Sequence, residues 1–329
     1  MRRITAGGRG PSGGATAARW PLSGLLGVGY VLAMALVITQ MITGATRVDS
    51  AAGPAMGLFT IAAAGLAARA GGHRRLDRRS RRAWRLISAA FVVLLASYVA
   101  FGITTNAGDP LAFPTVGDAI RLLTVPILLT GLLTLPRRTP GVGAGNAKVA
   151  LDIGMVVAGG AMLLWFLVVG PVLTAGSQPL DVLFFATAYP VSDLALVAGA
   201  MLVTMRTTVS SSRRPALLLA AALLVMVVGD VYLSWLRAHA QGTDYAGWQF
   251  LCWVTATFLM ALAASEKCRH VRFHDDEDGL ERTVRPVPYL PYAAVVLGYG
   301  LLLAVALRLP MYPYGGLAIG AVTTTALVV

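Results

Sequence analysis

Charge is scarce in this chain. Asp, Glu, Lys and Arg together make up 13% of its residues, about half the share of an ordinary soluble domain. Cysteine is scarcer still, with two residues in 329, Cys252 and Cys268. Cys252 falls inside an apolar run and Cys268 just after it, in a stretch read as cytoplasmic, where thiols stay reduced; no disulfide framework follows. The 4 histidines leave little material for metal or catalytic clusters. Long polar segments are also missing: the largest connection, 265–288, is too short to hold a folded soluble domain. The alternating segments of about ten residues that build a membrane β-barrel are absent as well.

What fills the chain instead is apolar sequence, 57% of all residues. It forms ten runs, at 22–43, 51–68, 83–103, 118–135, 149–172, 181–205, 215–236, 247–264, 289–307 and 315–329. At ~1.5 Å per residue all but the last can cross a hydrocarbon core of ~30 Å. The last covers only ~22 Å and reaches the end of the chain, so it is read as a tenth span cut short, with its continuation expected in the cytoplasm. Backbone polar groups in lipid must be satisfied within the segment, which makes every span a helix. The expected fold is all-α: a polytopic transmembrane bundle of about ten spans in the plasma membrane, its main partner the lipid bilayer. Residues 1–21, rich in Gly, Ala and Ser with scattered Arg, form an expected disordered basic tail, and 22–329 the membrane domain. The first run is too long for a signal peptide and reads as a retained anchor.

The basic residues orient this bundle. Of 27 Lys and Arg, 23 fall in the N-terminal tail or in every second connection after it. The largest group is Arg69, Arg74, Arg75, Arg78, Arg79, Arg81, Arg82 and Arg85. The opposite connections hold only Arg47, Arg237 and Arg308. This bias places the N-terminus in the cytoplasm. It also accounts for the net charge of +12 without nucleic acid, for which no binding motif is present. Anionic lipid is a second reading of the arginines at 78–82.

Acidic residues number only 15, yet several stand where lipid should be. Asp118 opens the fourth run, one turn before Arg121, and Asp181 opens the sixth; both read as helix N-caps. Asp193 lies ~18 Å below the outer surface, and Asp230 lies in the outer half of the seventh run. An unpaired carboxylate at such depth costs ~2.5–3.5 kcal/mol on insertion scales, so these groups should face other helices or a cavity. Asp118, Arg121, Tyr189, Asp193, Asp230 and Tyr232 are the candidate residues of a polar pocket for a small molecule or ion from the outer side. A network that only fixes packing, with Ser192 and Ser234 in it, weighs equally.

Other constellations are weaker. Cys268, His270, His274 and the acids at 275–278 include metal-ligand types, but the charged segment reads better as a solvated linker, and no metal or cofactor is expected. The glycines at 141–145 are not a phosphate loop, since Lys148 precedes Val149 rather than Ser or Thr. With no phosphate-handling motif anywhere, no enzymatic turnover is expected of this chain. Trp20, Trp84, Tyr98, Trp248, Tyr289 and Tyr312 flank runs and read as interfacial anchors.

Four short motifs stand together along the chain: Pro114-Thr115-x-x-Asp118, Leu151-Asp152, Tyr189-Pro190-x-x-Asp193 and Gly229-Asp230-x-Tyr232. In this the region 22–329 resembles the multi-span N-terminal part of actinobacterial GGDEF–EAL proteins, which make or degrade cyclic di-GMP. Usage of 25 Arg to 2 Lys fits a high-GC actinobacterium. The resemblance implies a membrane-embedded sensory or anchoring module whose cytoplasmic output domain is absent here. Neither a Gly-Gly-Asp/Glu-Glu-Phe loop nor a Glu-Ala-Leu motif is present, so no catalytic residue carries over. A homodimer formed through that cytoplasmic part is compatible with this reading. The alternative is a secondary transporter that uses intramembrane aspartates as substrate or proton sites.

Overall fold

The computed structural model describes residues 22–43, 49–106, 113–135, 179–206, 210–239 and 247–273, with single helical positions between 151 and 165. These residues form helices α1 (Leu22–Thr43), α2 (Asp49–Gly72), α3 (Arg78–Asn106), α4 (Val116–Thr134), α5 (Leu180–Arg206), α6 (Ser210–His239) and α7 (Trp248–Phe273). No strand occurs among the described residues. All 7 helices are long and apolar enough to cross a membrane, which makes the chain a multi-pass helical bundle. Ten spans are more than the described residues carry. They hold these seven and scattered helical positions of an eighth, in the run 149–172. The runs at 289–307 and 315–329, the tail 1–21, Asp152 and the acidic stretch 274–278 lie outside them.

The helices from α2 to α7 pack in chain order, each against the next, and α7 returns to α2. Helix α1 lies against α7 and α2 at the edge of this ring. Its only buried side chain is Val37, while Val31, Leu32 and Ile42 are exposed, as a lipid-facing helix requires. Small residues bring the backbones together elsewhere. Ala63, Ala64, Ala67 and Ala70 of α2 share a core with Ala256, Ala261, Ala263 and Ala264 of α7. At Gly131 of α4 a Cβ would lie 3.1 Å from the Ile87 backbone nitrogen of α3, so the two backbones cross closely here. Polar groups tie the same contacts: Ser88 Oγ donates to the Ala64 carbonyl at 2.9 Å, and Tyr30 on α1 bonds Thr255 on α7 at 3.0 Å.

Several helix ends differ from expectation because the helices continue past the apolar runs into basic sequence. Arg69 belongs to the last turn of α2, and Arg78, Arg79, Arg81, Arg82 and Arg85 belong to α3. Two of these arginines cover open carbonyls: Arg79 Nε donates to Thr134 at 3.2 Å, and Arg85 Nε to Gly71 at 3.1 Å. Cys268 is not in a loop. It is buried within α7, and its thiol donates to the Leu66 carbonyl at 3.2 Å. Trp84 is not an interfacial anchor either, being 2% exposed in the core, whereas Trp248 is exposed.

Asp77 caps α3. Its Oδ2 accepts the Arg79 and Ser80 backbone N–H groups, both at 3.1 Å. Burial raises this carboxyl, but the bonds from Ser80 and Arg79 outweigh it and hold the group below its ordinary value of 3.8. A lowered carboxyl contributes stability above its unfolded value and loses it as pH falls through the folded one. Asp77→Ala should therefore cost about 1 kcal/mol at neutral pH. Melts of the two proteins in detergent should converge as pH drops below the carboxylate range; a pH-independent gap would exclude this origin.

Candidate functional site

Side-chain contacts bring the beginnings of α4 and α7, the middle of α5 and the last third of α6 together. There the structure gathers most of the residues singled out from sequence. Thr115 is the N-cap of α4, with φ −116° and ψ 170°, and Asp118 completes a capping box with it. Asp118 is thus the third helical residue rather than the cap. This corrects its expected role and explains its position, because the box turns its carboxylate back toward the helix start. Its Oδ2 accepts from the Thr115 backbone N–H and hydroxyl, each at 2.7 Å. Its Oδ1 accepts from the Tyr189 hydroxyl at 2.7 Å. Three donors satisfy a side chain that is 1% exposed, and the third ties α4 to α5.

One turn further along α4, Arg121 pairs through Nη2 with Asp230 Oδ2 of α6. The other oxygen of Asp230 accepts from Trp253 Nε1 of α7 at 2.8 Å. The guanidinium also lies over two rings, 5.9 Å from the Tyr189 centroid and 5.8 Å from that of Trp253. A single arginine therefore joins four helices. Trp253 reaches Asp230 only because Gly229 precedes it: a Cβ there would meet Trp253 Nε1 at 2.9 Å. The Gly-Asp pair of α6 is thus one unit, the glycine making room for the donor that the aspartate accepts.

Asp193 completes the cluster. It stands midway along α5, is 6% exposed, and accepts no hydrogen bond from the described residues. It lies within electrostatic reach of both Arg121 and Asp230. Two carboxylates thus lie near one guanidinium in a low-dielectric setting, and Asp230 makes the direct pair. Tyr98 of α3, expected at an interface, instead buries its hydroxyl beside Arg121 and Asp230.

Other expectations fare differently. Tyr232 is half-buried, but two residues past Asp230 it is turned ~200° round α6 from it, on another face. Asp181 is exposed and not an N-cap: it is the second residue of α5, and its Oδ1 accepts the Val182 N–H at 2.9 Å. Ser192 bonds the Tyr189 carbonyl within its own helix at 2.7 Å and stays out of the network. Sequence reasoning missed Trp253 and misplaced Tyr98, since an aromatic residue within an apolar run carries no mark of its partner. No group of three or more metal-ligand side chains occurs among the described residues. Comparison with known proteins gives no match: no family model fits the chain, and no curated protein or solved structure is similar to it.

Proposed function

We propose that this chain is the membrane-embedded sensory and anchoring module of a signalling protein, with about ten spans and a cytoplasmic N-terminus. Its output is synthesis or degradation of cyclic di-GMP, as the motif resemblance implies, and no enzymatic turnover resides in residues 1–329. The observation that carries the reading is the position of Asp193 beside the Arg121–Asp230 pair. Two acids on neighbouring helices facing one arginine make a two-state element. A ligand or ion arriving from the outer side and engaging Asp193 or Asp230 changes which helix Arg121 holds, and α5 or α6 shifts. Small displacements of packed helices suffice to carry such a signal to the basic face.

Asp193→Asn keeps hydrogen-bonding capacity without the charge. It should leave melting within about 0.5 kcal/mol of wild type, the range of a substitution that breaks nothing. In cells expressing the full gene product it should nevertheless abolish or fix the cyclic di-GMP response. Asp193→Leu should affect both. An Asn variant silent in output would return Asp193 to a packing role.

The excess of carboxylates over guanidinium also suits a secondary transporter. That alternative requires proteoliposomes holding the chain alone to accumulate a substrate, an activity the sensory reading does not supply. Orientation is tested with single cysteines read by an impermeant reagent in intact cells. Thr43, exposed at one end of α1, should label, and exposed Arg74 should not.

A further inference from the structure

The basic face of the bundle carries a groove that the polar cluster does not use. It lies where α2 ends and the chain turns toward α3, with a volume of about 540 Å³, and Arg69, Gly72, His73, Arg74, Arg75 and Cys268 line it. Three arginines and a histidine line it, and no lining residue is acidic. The nearest acid along α7, Glu266, is taken by Arg269 at 2.8 Å.

Orienting the membrane does not require this concavity. Arg79 and Arg85 belong to the same basic group, and both are committed to backbone carbonyls. Arg69 and Arg74 are exposed and make no ion pair or side-chain hydrogen bond among the described residues. The C-terminal end of α2 adds a partial negative charge of about half a unit, which alone would favour a cation. Two of its last carbonyls are occupied, however: Gly71 by Arg85 and Ala70 by the His73 N–H. The positive charges of Arg69 and Arg74 outweigh what is left. The groove is therefore built for an anion with several acceptor oxygens, which guanidinium forks grip in bidentate fashion.

We propose that this groove binds the phosphate group of an anionic phospholipid headgroup at that membrane face. Its position decides the source. The lining begins on the last turn of a membrane-crossing helix and ends on the loop just beyond it, the level of lipid phosphates. Arg69 and Arg74 grip the phosphate, His73 adds an N–H donor, and the acyl chains run along the lipid-facing side of α2. A bound lipid there would link the end of α2 to α7.

The test uses the full chain purified in phosphatidylcholine-containing detergent micelles, with added phosphatidylglycerol counted by native mass spectrometry. Wild type should retain phosphatidylglycerol in preference to phosphatidylcholine. Arg69→Ala/Arg74→Ala should weaken that retention at least about tenfold, from roughly 1 kcal/mol for each basic residue near the surface. Arg214→Ala, on the exposed start of α6 and outside the lining, should leave retention unchanged and so reports any nonspecific charge effect. Equal retention of the two lipids, or an equal loss with Arg214→Ala, would overturn the proposal. Displacement of phosphatidylglycerol by equimolar inorganic phosphate would also overturn it, by making the groove a site for free phosphate.

Discussion

Arg121→Met should lower the stability of the bundle by about 3–5 kcal/mol, the loss typical of removing one partner from a buried ion pair. Asp230 would lose its guanidinium partner, and Asp193 would lose the positive charge in its reach. Two stacking contacts, on Tyr189 and Trp253, would go as well. Most of the loss comes from stranding charge rather than from losing attraction, and this has a consequence. Arg121→Met combined with Asp230→Leu should be more stable than Arg121→Met alone, since the stranded group is removed with its partner. Unfolding in detergent, followed by circular dichroism, checks both variants. A loss below about 1 kcal/mol in the single variant would mean that the pair is idle, as many exposed pairs are.

The second large effect is steric. Gly229→Leu should cost up to roughly 3 kcal/mol, the upper range of overpacking a filled core. The gain in helix propensity over glycine, about 0.8–1 kcal/mol, is too small to offset it. The first atom added would already stand 2.9 Å from Trp253 Nε1 and 3.0 Å from Cys252 Cβ. Trp253 would have to swing off Asp230 to make room. In a Trp253→Ala background the same substitution should cost about 1 kcal/mol less, because part of the obstruction is gone. Equal losses in the two backgrounds would show that Trp253 is not what the glycine accommodates.

Membrane architecture was legible because it rests on composition and length, which need no partner. The run 22–43 is helical throughout as α1. The run 247–264 became the longer α7 because Glu266, Lys267, Cys268 and Arg269 continue the helix through a bonded charged turn. Apolar length sets where lipid ends, not where hydrogen bonding ends. Within the site, Asp118, Arg121, Tyr189, Asp193 and Asp230 were legible through the cost of burying polar groups in lipid. Their pairing was not. Which carboxylate Arg121 takes depends on helix rotation, and Tyr98 and Trp253 were indistinguishable from lipid-facing aromatics until their neighbours were known. Tyr232 shows the converse error: a motif neighbour two residues away in a helix faces elsewhere.

The central claim is that Asp193 and Asp230 are rivals for Arg121, and double-mutant cycles measure that rivalry directly. Stability is determined for Arg121→Met, Asp193→Asn and Asp230→Asn, singly and in every combination. The coupling between Arg121 and Asp193 should be about 1 kcal/mol in the wild-type background, well above the ~0.5 kcal/mol scatter of independent sites. In the Asp230→Asn background it should grow, because the guanidinium is then released to Asp193. A coupling to Asp193 that stays within ~0.5 kcal/mol of zero in both backgrounds would contradict the two-state account and leave the Arg121–Asp230 pair as a fixed structural tie.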